Sequence, residues 1–177
     1  MTIENLNYLI ALGTVALQVV TVLLLVLFLA KHEATQKLVE KVALPLAFLV
    51  ALGGTAMTLV YSEYFGVIPC GLCWFQRIFL YPQIILLGIA MWRKDLTVAV
   101  YSVWLSVIGS AFALYHHFIQ MGGESIIPCP ASGAGDCAKR ILFEFGYVTF
   151  PLAAFTAFWF IIVLMLFVSR RCRRGGM

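Results

Sequence analysis

Five long apolar runs decide what this chain can fold into. They are Leu9 to Ala30, Ala43 to Tyr61, Ile78 to Trp92, Val98 to Phe118 and Tyr147 to Val168. A helix that spans a bilayer needs about 20 apolar residues, within a range of about 17 to 25. The first, second, fourth and fifth runs meet that length outright. Composition agrees: 63% of the 177 residues are hydrophobic and 11% are charged, whereas soluble domains are about 25% charged. A soluble domain, a disordered chain and a fibrous repeat are all excluded. The sequence predicts an all-α integral membrane helical bundle.

The third run is short. Its 15 residues give about 22 Å of helix at about 1.5 Å per residue, against a hydrocarbon core of about 30 Å. It spans only if the preceding segment, Val67 to Arg77, lies partly at headgroup depth. That places Cys70, Cys73 and Arg77 at or just inside the membrane surface. The first run reads as a retained span. Residues 1–8 carry Glu4 and no Lys or Arg, unlike the basic start of a signal peptide.

Basic residues set the orientation. With five spans and the N-terminus outside, the inner segments carry Lys31, Lys37, Lys41, Arg93, Lys94, Arg170, Arg171, Arg173 and Arg174. The outer segments carry only Arg77, Lys139 and Arg140. The net charge of +4 is therefore a topology signal and not a nucleic-acid patch. This predicts a multi-pass membrane protein whose soluble chemistry lies in two outer loops, Ser62 to Arg77 and Ile119 to Gly146.

Both outer loops carry a cysteine pair: Cys70 and Cys73 in the first, Cys129 and Cys137 in the second. Cys172 lies alone in the inner tail. An oxidising outer face permits disulfides, and four cysteines allow three connectivities. The C-x-x-C pair closes too small a loop to stabilise much as a staple. It suits redox exchange, because two close thiols interchange readily and one can have a lowered pKa. Zinc ligation by the four outer cysteines is disfavoured by the long second spacing, so no metal is expected.

The first loop ends Pro69-Cys70-Gly71-Leu72-Cys73-Trp74-Phe75-Gln76-Arg77. Pro69 biases Ile68 to an extended conformation, and a helix is predicted to start near Cys73. Cys73 would then feel the positive end of the helix dipole. Arg77, one turn on, shares its face. Both effects favour a thiolate at Cys73. A thiolate and a cation facing lipid suit a membrane quinone, with Arg77 stabilising negative charge on its oxygen. Gln76 is a candidate hydrogen-bond partner of a quinone carbonyl and, equally, a candidate cap for the helix start.

These residues resemble the P-C-x-x-C-x-x-x-R signature of DsbB-type disulfide bond formation proteins. Gly135-Asp136-Cys137-Ala138-Lys139-Arg140 is similar to the G-D-C-A-x-R segment of the same family, and Phe145-Gly146 with Pro151 follow as they do there. The resemblance covers about residues 43 to 170. It implies a four-helix redox core over 43–169, with residues 1–42 as an extra N-terminal span and inner loop and 170–177 as a basic tail. The short Cys129–Cys137 interval resembles the compact BdbC type. The resemblance further implies a relay of four catalytic cysteines. A reduced DsbA-like thioredoxin-fold protein attacks the Cys129–Cys137 disulfide at Cys129. Cys137 exchanges with Cys70, and Cys73 passes the electron pair to ubiquinone or menaquinone held near Arg77.

Competing readings are a quinone reductase like vitamin K epoxide reductase, and a non-enzymatic membrane subunit with stapling disulfides. In the former the extra cysteine pair usually precedes the C-x-x-C; here it follows. His116 and His117 end the fourth run, where interfacial capping outweighs a role in proton transfer. Gly53-Gly54 are expected to permit close helix packing. Pro45 is expected in the first turn of the second span, and Cys172 is expected to be a free thiol.

Overall fold

The computed structural model describes residues 2–125 and 136–175. Five helices, each long and apolar enough to cross a membrane, make up almost all of it. They are α1 (Ile3–Leu29), α2 (Glu33–Leu59), α3 (Gly71–Arg93), α4 (Val98–Gln120) and α5 (Phe150–Gly175). A π-helical turn, Val60–Tyr64, extends α2. Strands β1 (Phe143–Glu144) and β2 (Val148–Thr149) form a small antiparallel hairpin before α5, pairing Phe143 with Thr149 and Glu144 with Val148. The turn between them places Phe145 and Gly146 at φ 52° and 75°, the positive angles a tight hairpin demands at both central residues.

Helices α2, α3, α4 and α5 pack in a closed ring, each on its neighbours, and α1 packs outside on α5. Short connections force antiparallel neighbours. Between α3 and α4, Asp95 Oδ1 accepts from the Thr97 amide at 2.9 Å and the Thr97 hydroxyl at 2.7 Å. Helix α5 carries the core: Phe158, Ile161, Val163, Leu164, Met165, Phe167 and Val168 are fully buried. One polar group inside the bundle, Gln83, is paired at both ends of its amide, as an apolar solvent favours. Gln83 Oε1 accepts from Ser102 at 2.7 Å, and its Nε2 donates to Ser106 at 3.1 Å.

The extra helix α1 is tied to the bundle through side chains no apolar-run analysis weighs. Asn7 is buried; its amide donates to the Ile141 carbonyl at 2.9 Å, and its oxygen accepts from the Tyr61 hydroxyl. Gln18 donates to Thr156 at 3.2 Å and accepts from Tyr147 at 3.2 Å. At the other end, Arg170 donates to the Phe28 carbonyl at 2.9 Å and lies over the Phe28 ring. Helix α5 runs on through the basic stretch to Gly175.

Three expectations change. Helix α2 begins at Glu33, so Pro45 sits well inside it and not in its first turn; the polar residues before the apolar run continue the helix. Helix α3 begins at Gly71, two residues before the expected start near Cys73, and so extends the short third run to a helix of 23 residues that includes Cys73, Gln76 and Arg77. Of the expected glycine pair, Gly54 packs closely, since a Cβ there would lie 3.2 Å from Leu80, whereas one at Gly53 would meet nothing within 4 Å; Gly109 is tighter still, with a Cβ 2.5 Å from the Phe158 ring. Gly109→Ala overpacks the α4–α5 contact at a cost of about 1–3 kcal/mol, so its unfolding midpoint in detergent should fall by several degrees. Gly53→Ala should melt with the wild type. Equal midpoints for Gly109→Ala and wild type would show that Phe158 yields freely.

Candidate redox site

The site forms where α2 ends and α3 begins. The π turn and residues 65–69 carry the chain from one helix to the next, and Cys70 caps α3. A helix start leaves four amide N–H groups without helical partners. Cys70 Sγ takes one of them, accepting from the Cys73 amide at 3.4 Å. It also faces the Cys73 thiol at 2.9 Å and His116 Nε2 at 3.7 Å. Cys70 and Cys73 are free cysteines in this geometry, as is the exposed Cys172.

These contacts move the thiolate from Cys73, where helix dipole and Arg77 predicted it, to Cys70. The hydrogen bond from the Cys73 thiol is the main cause. The His116 imidazole adds to it, and burial opposes both; the net effect pushes the Cys70 thiol down to about 4. The dipole argument holds for the position, but the residue that caps the helix receives the amides directly.

His116 is 2% exposed and joins three parts of the site. Its Nε2 faces the Cys137 carbonyl at 3.1 Å as well as Cys70 Sγ, and its Nδ1 pairs with Gln76 Nε2 at 3.0 Å. The sequence reading assigned this residue to interfacial capping. Its one signal was proximity to the outer end of the fourth run, which His117 shares, and His117 instead pairs with Thr149 at 2.8 Å. Gln76, expected to address a quinone carbonyl, has its amide nitrogen on His116. Cys137 is disulfide-bonded and buried against Cys70, Leu72 and Ile119. Cys129 lies outside the described residues.

Arg77 is 9% exposed. Its guanidinium donates to the Thr58 carbonyl at 3.0 Å and the Ser62 hydroxyl at 3.3 Å, and lies 5.2 Å from the centre of the Trp74 ring. The π turn explains the acceptor: such a turn shifts backbone pairing by one residue and is common at functional sites, and Thr58 stands just before it. Tyr61 in the same turn is the Asn7 partner.

Cys70, Cys73, Gln76, Arg77 and His116 all border one cavity of about 920 Å³ that reaches between α2 and α5 to Gly53 and Phe158. That volume is at the upper end of small-molecule sites, about 300 to 1,000 Å³. Asp136, Lys139, Arg140 and Ile141 of the second outer loop also line this cavity. Gln120 Nε2 donates to the Lys139 carbonyl at 3.1 Å, and Arg140 donates back to the Gln120 carbonyl.

Cys70, Cys73 and Cys137 thus meet at one helix start, beside an apolar cavity within a bundle. The family model for Disulfide bond formation protein DsbB matches residues 40–169. This chain belongs to the DsbB family. A Probable disulfide formation protein C of Halalkalibacterium halodurans is 40% identical over 124 residues, 70% of this chain and 90% of the relative. A Probable disulfide formation protein of Metapseudomonas resinovorans is 41% identical over 128 residues, 71% of this chain and 88% of the relative. The SPbeta prophage-derived disulfide bond formation protein B of Bacillus subtilis is 42% identical over 113 residues, 64% of this chain and 76% of the relative. No solved structure gives a significant match. The chain is thus a multi-pass membrane oxidoreductase of disulfide bond formation. The family match starts at residue 40, so α1 lies outside it.

The thiolate assignment is measurable. In reduced protein, alkylation of Cys70 by a small uncharged reagent should hold its rate as pH falls from neutral, then drop around pH 4. In Cys73→Ser, which weakens the chief stabilising bond, the midpoint should move up toward the free-thiol value of about 8.5. A wild-type midpoint near that free-thiol value would return the thiolate to Cys73.

Proposed function

We propose that this protein is a protein dithiol:quinone oxidoreductase that reoxidises an extracytoplasmic thioredoxin-fold partner of the DsbA type. The observation that carries this reading is the cavity bordered by Cys70, Cys73 and Arg77 and opening on apolar walls of α2 and α5. The residues fit a quinone. Gly53 leaves open space where any side chain would intrude, the walls are apolar, and one buried cation stands beside the thiols. When bound, a quinone supplies a sink for two electrons and two protons.

The protein's residues account for the rest. A partner thiolate attacks Cys129 and displaces Cys137, and the second partner thiol resolves the mixed disulfide. The partner leaves oxidised, and Cys129 and Cys137 hold the electron pair as thiols. Cys137 then attacks Cys70 of an oxidised Cys70–Cys73 pair and frees Cys73. Cys129 attacks Cys137 and restores the second-loop disulfide, which leaves Cys70 and Cys73 reduced. Burial of Cys137 against Cys70 supports this exchange. The described geometry, with Cys137 disulfide-bonded and Cys70 and Cys73 free, corresponds to the stage just before electrons leave. His116, between Cys70 and Cys137, is placed to take and return the proton of the exchanging thiol, with Gln76 orienting the ring. Arg77, fixed by Thr58 and Ser62, offers its remaining N–H groups to negative charge in the cavity.

The test is to mix purified full-length protein with a short-chain quinone and a reduced thioredoxin-fold protein, and to follow quinone absorbance. Cys70→Ser and Cys73→Ser should each abolish quinone reduction, and Cys129→Ser should abolish partner oxidation. Cys172→Ser should leave both intact. A charge-assisted hydrogen bond is worth about 1.5 to 3 kcal/mol, or about ten- to a hundredfold. Arg77→Ala should therefore raise KM for quinone by that factor while single-turnover exchange onto Cys129 is unchanged. Arg77→Lys should lose less, since it keeps charge but not the planar fork. Identical quinone kinetics in Arg77→Ala and wild type would reduce Arg77 to a structural tie between α2 and α3.

The same reading puts both cysteine pairs on the extracytoplasmic face, as supported by the basic residues of the opposite side. A reporter fused after Met177 should stay cytoplasmic; an exported reporter would invert the topology.

A further inference from the structure

The same geometry holds a second chemistry. Among the described residues, Cys70, Cys73 and His116 place their ligand atoms within 4.8 Å of one another. We infer that the reduced site binds one soft or borderline divalent cation, zinc or cadmium, through Cys70 Sγ, Cys73 Sγ and His116 Nε2, and that the bound cation stops turnover. This rests on the reading of Cys70 and Cys73 as the pair that cycles between thiol and disulfide.

Distances carry the inference. Zinc bonds of about 2.3 Å to sulfur and about 2.0 to 2.1 Å to nitrogen in a tetrahedron put two sulfurs about 3.8 Å apart, and sulfur about 3.6 Å from nitrogen. Cys70 Sγ already lies 3.7 Å from His116 Nε2. The Cys70–Cys73 separation of 2.9 Å must open by a little under 1 Å. Cys73 is only partly buried, so a modest turn of its side chain into the cavity supplies that movement. Two thiolates and a neutral imidazole are a donor set that zinc and cadmium favour. The cavity borders all three residues, which leaves a fourth position for water.

Charge also favours the complex. Two thiolates and a divalent cation sum to zero, so no net charge is left buried. Binding exchanges the thiol protons for the metal, releases them to water and involves no change of oxidation state. His116 Nδ1 must then carry the ring proton, and Gln76, 3.0 Å away, receives it once its amide turns to present oxygen. Metal-bound histidines commonly hold their second nitrogen this way. When Cys70 and Cys73 form a disulfide, both thiolate donors are gone. The site therefore selects the reduced enzyme, and the cation occupies the sulfurs whose electrons must leave.

The experiment uses full-length protein in detergent with Cys129→Ser and Cys137→Ser, so that only the first pair and Cys172 remain. Dithiothreitol-reduced protein, freed of reductant, is titrated with cadmium chloride while the thiolate-to-cadmium charge-transfer band in the ultraviolet is followed. One cadmium should bind per reduced chain and none after the pair is oxidised. Cys172→Ser should bind as before, Cys70→Ser should lose the band, and His116→Gln should weaken binding at least tenfold. In the enzyme with all its cysteines, zinc chloride should stop partner oxidation and a chelator should restore it. No stoichiometric band in reduced protein, or equal binding by oxidised protein, would overturn the site. Unchanged affinity in His116→Gln would remove the imidazole from it. The quinone assay without metal is read separately, so loss of cadmium binding with quinone reduction intact sinks this inference alone.

Discussion

The site depends on one constraint: a helix that enters a membrane must satisfy its first amides. In water those N–H groups bond to solvent, and in lipid each one left open costs several kcal/mol. At the start of α3 a cysteine sulfur meets part of that demand. Anions are stabilised at this end of a helix, so the contact that starts the third span adds to the Cys73 thiol and His116 in holding the Cys70 thiol down. Folding and reactivity share one contact, and replacing Cys70 alters both.

Around that point, the ring of α2 to α5 leaves a cavity beside its core. Gly53 and Gly54 on α2 and Ala153, Ala154 and Ala157 on α5 line it, so apolar space remains beside the thiols instead of being packed shut. The π turn at the end of α2 gives this space its polar corner, because the carbonyl at Thr58 holds Arg77 in place. Helix α1 adds a brace. Through Asn7 it links Tyr61, in the π turn, to Ile141, just beyond the second cysteine pair. Two cavity walls that no shared backbone joins are thereby held in register by one buried amide.

Much of this was legible from residues alone, for definable reasons. Apolar runs report burial in lipid by length, so the five helices and their order follow from them. The C-x-x-C and its arginine were legible because helical spacing fixes which residues share a face. Boundaries were not, because polar residues 33–42 continue a helix that apolar counting starts at Ala43. The thiolate was placed one turn late because capping depends on which residue adopts an extended backbone, and Gly71 allowed the helix to begin before Cys73. His116 was undervalued for a deeper reason. It lies 46 residues from Cys70, and only the packing of α4 on α3 brings the two together. Nor does any local pattern in Asn7 announce a partner at Ile141.

His116 is where these strands meet. One nitrogen faces both the Cys70 sulfur and the Cys137 carbonyl, and it cannot donate fully to both. With Cys70 and Cys73 free, the ring lies 3.1 Å from the carbonyl and 3.7 Å from the sulfur, so the closer contact goes to the second loop. Gln76 donates to the other ring nitrogen at 3.0 Å, which leaves the ring proton on the nitrogen that faces both. One buried imidazole thus ties the start of α3 to the second loop through contacts that no stretch of sequence contains by itself.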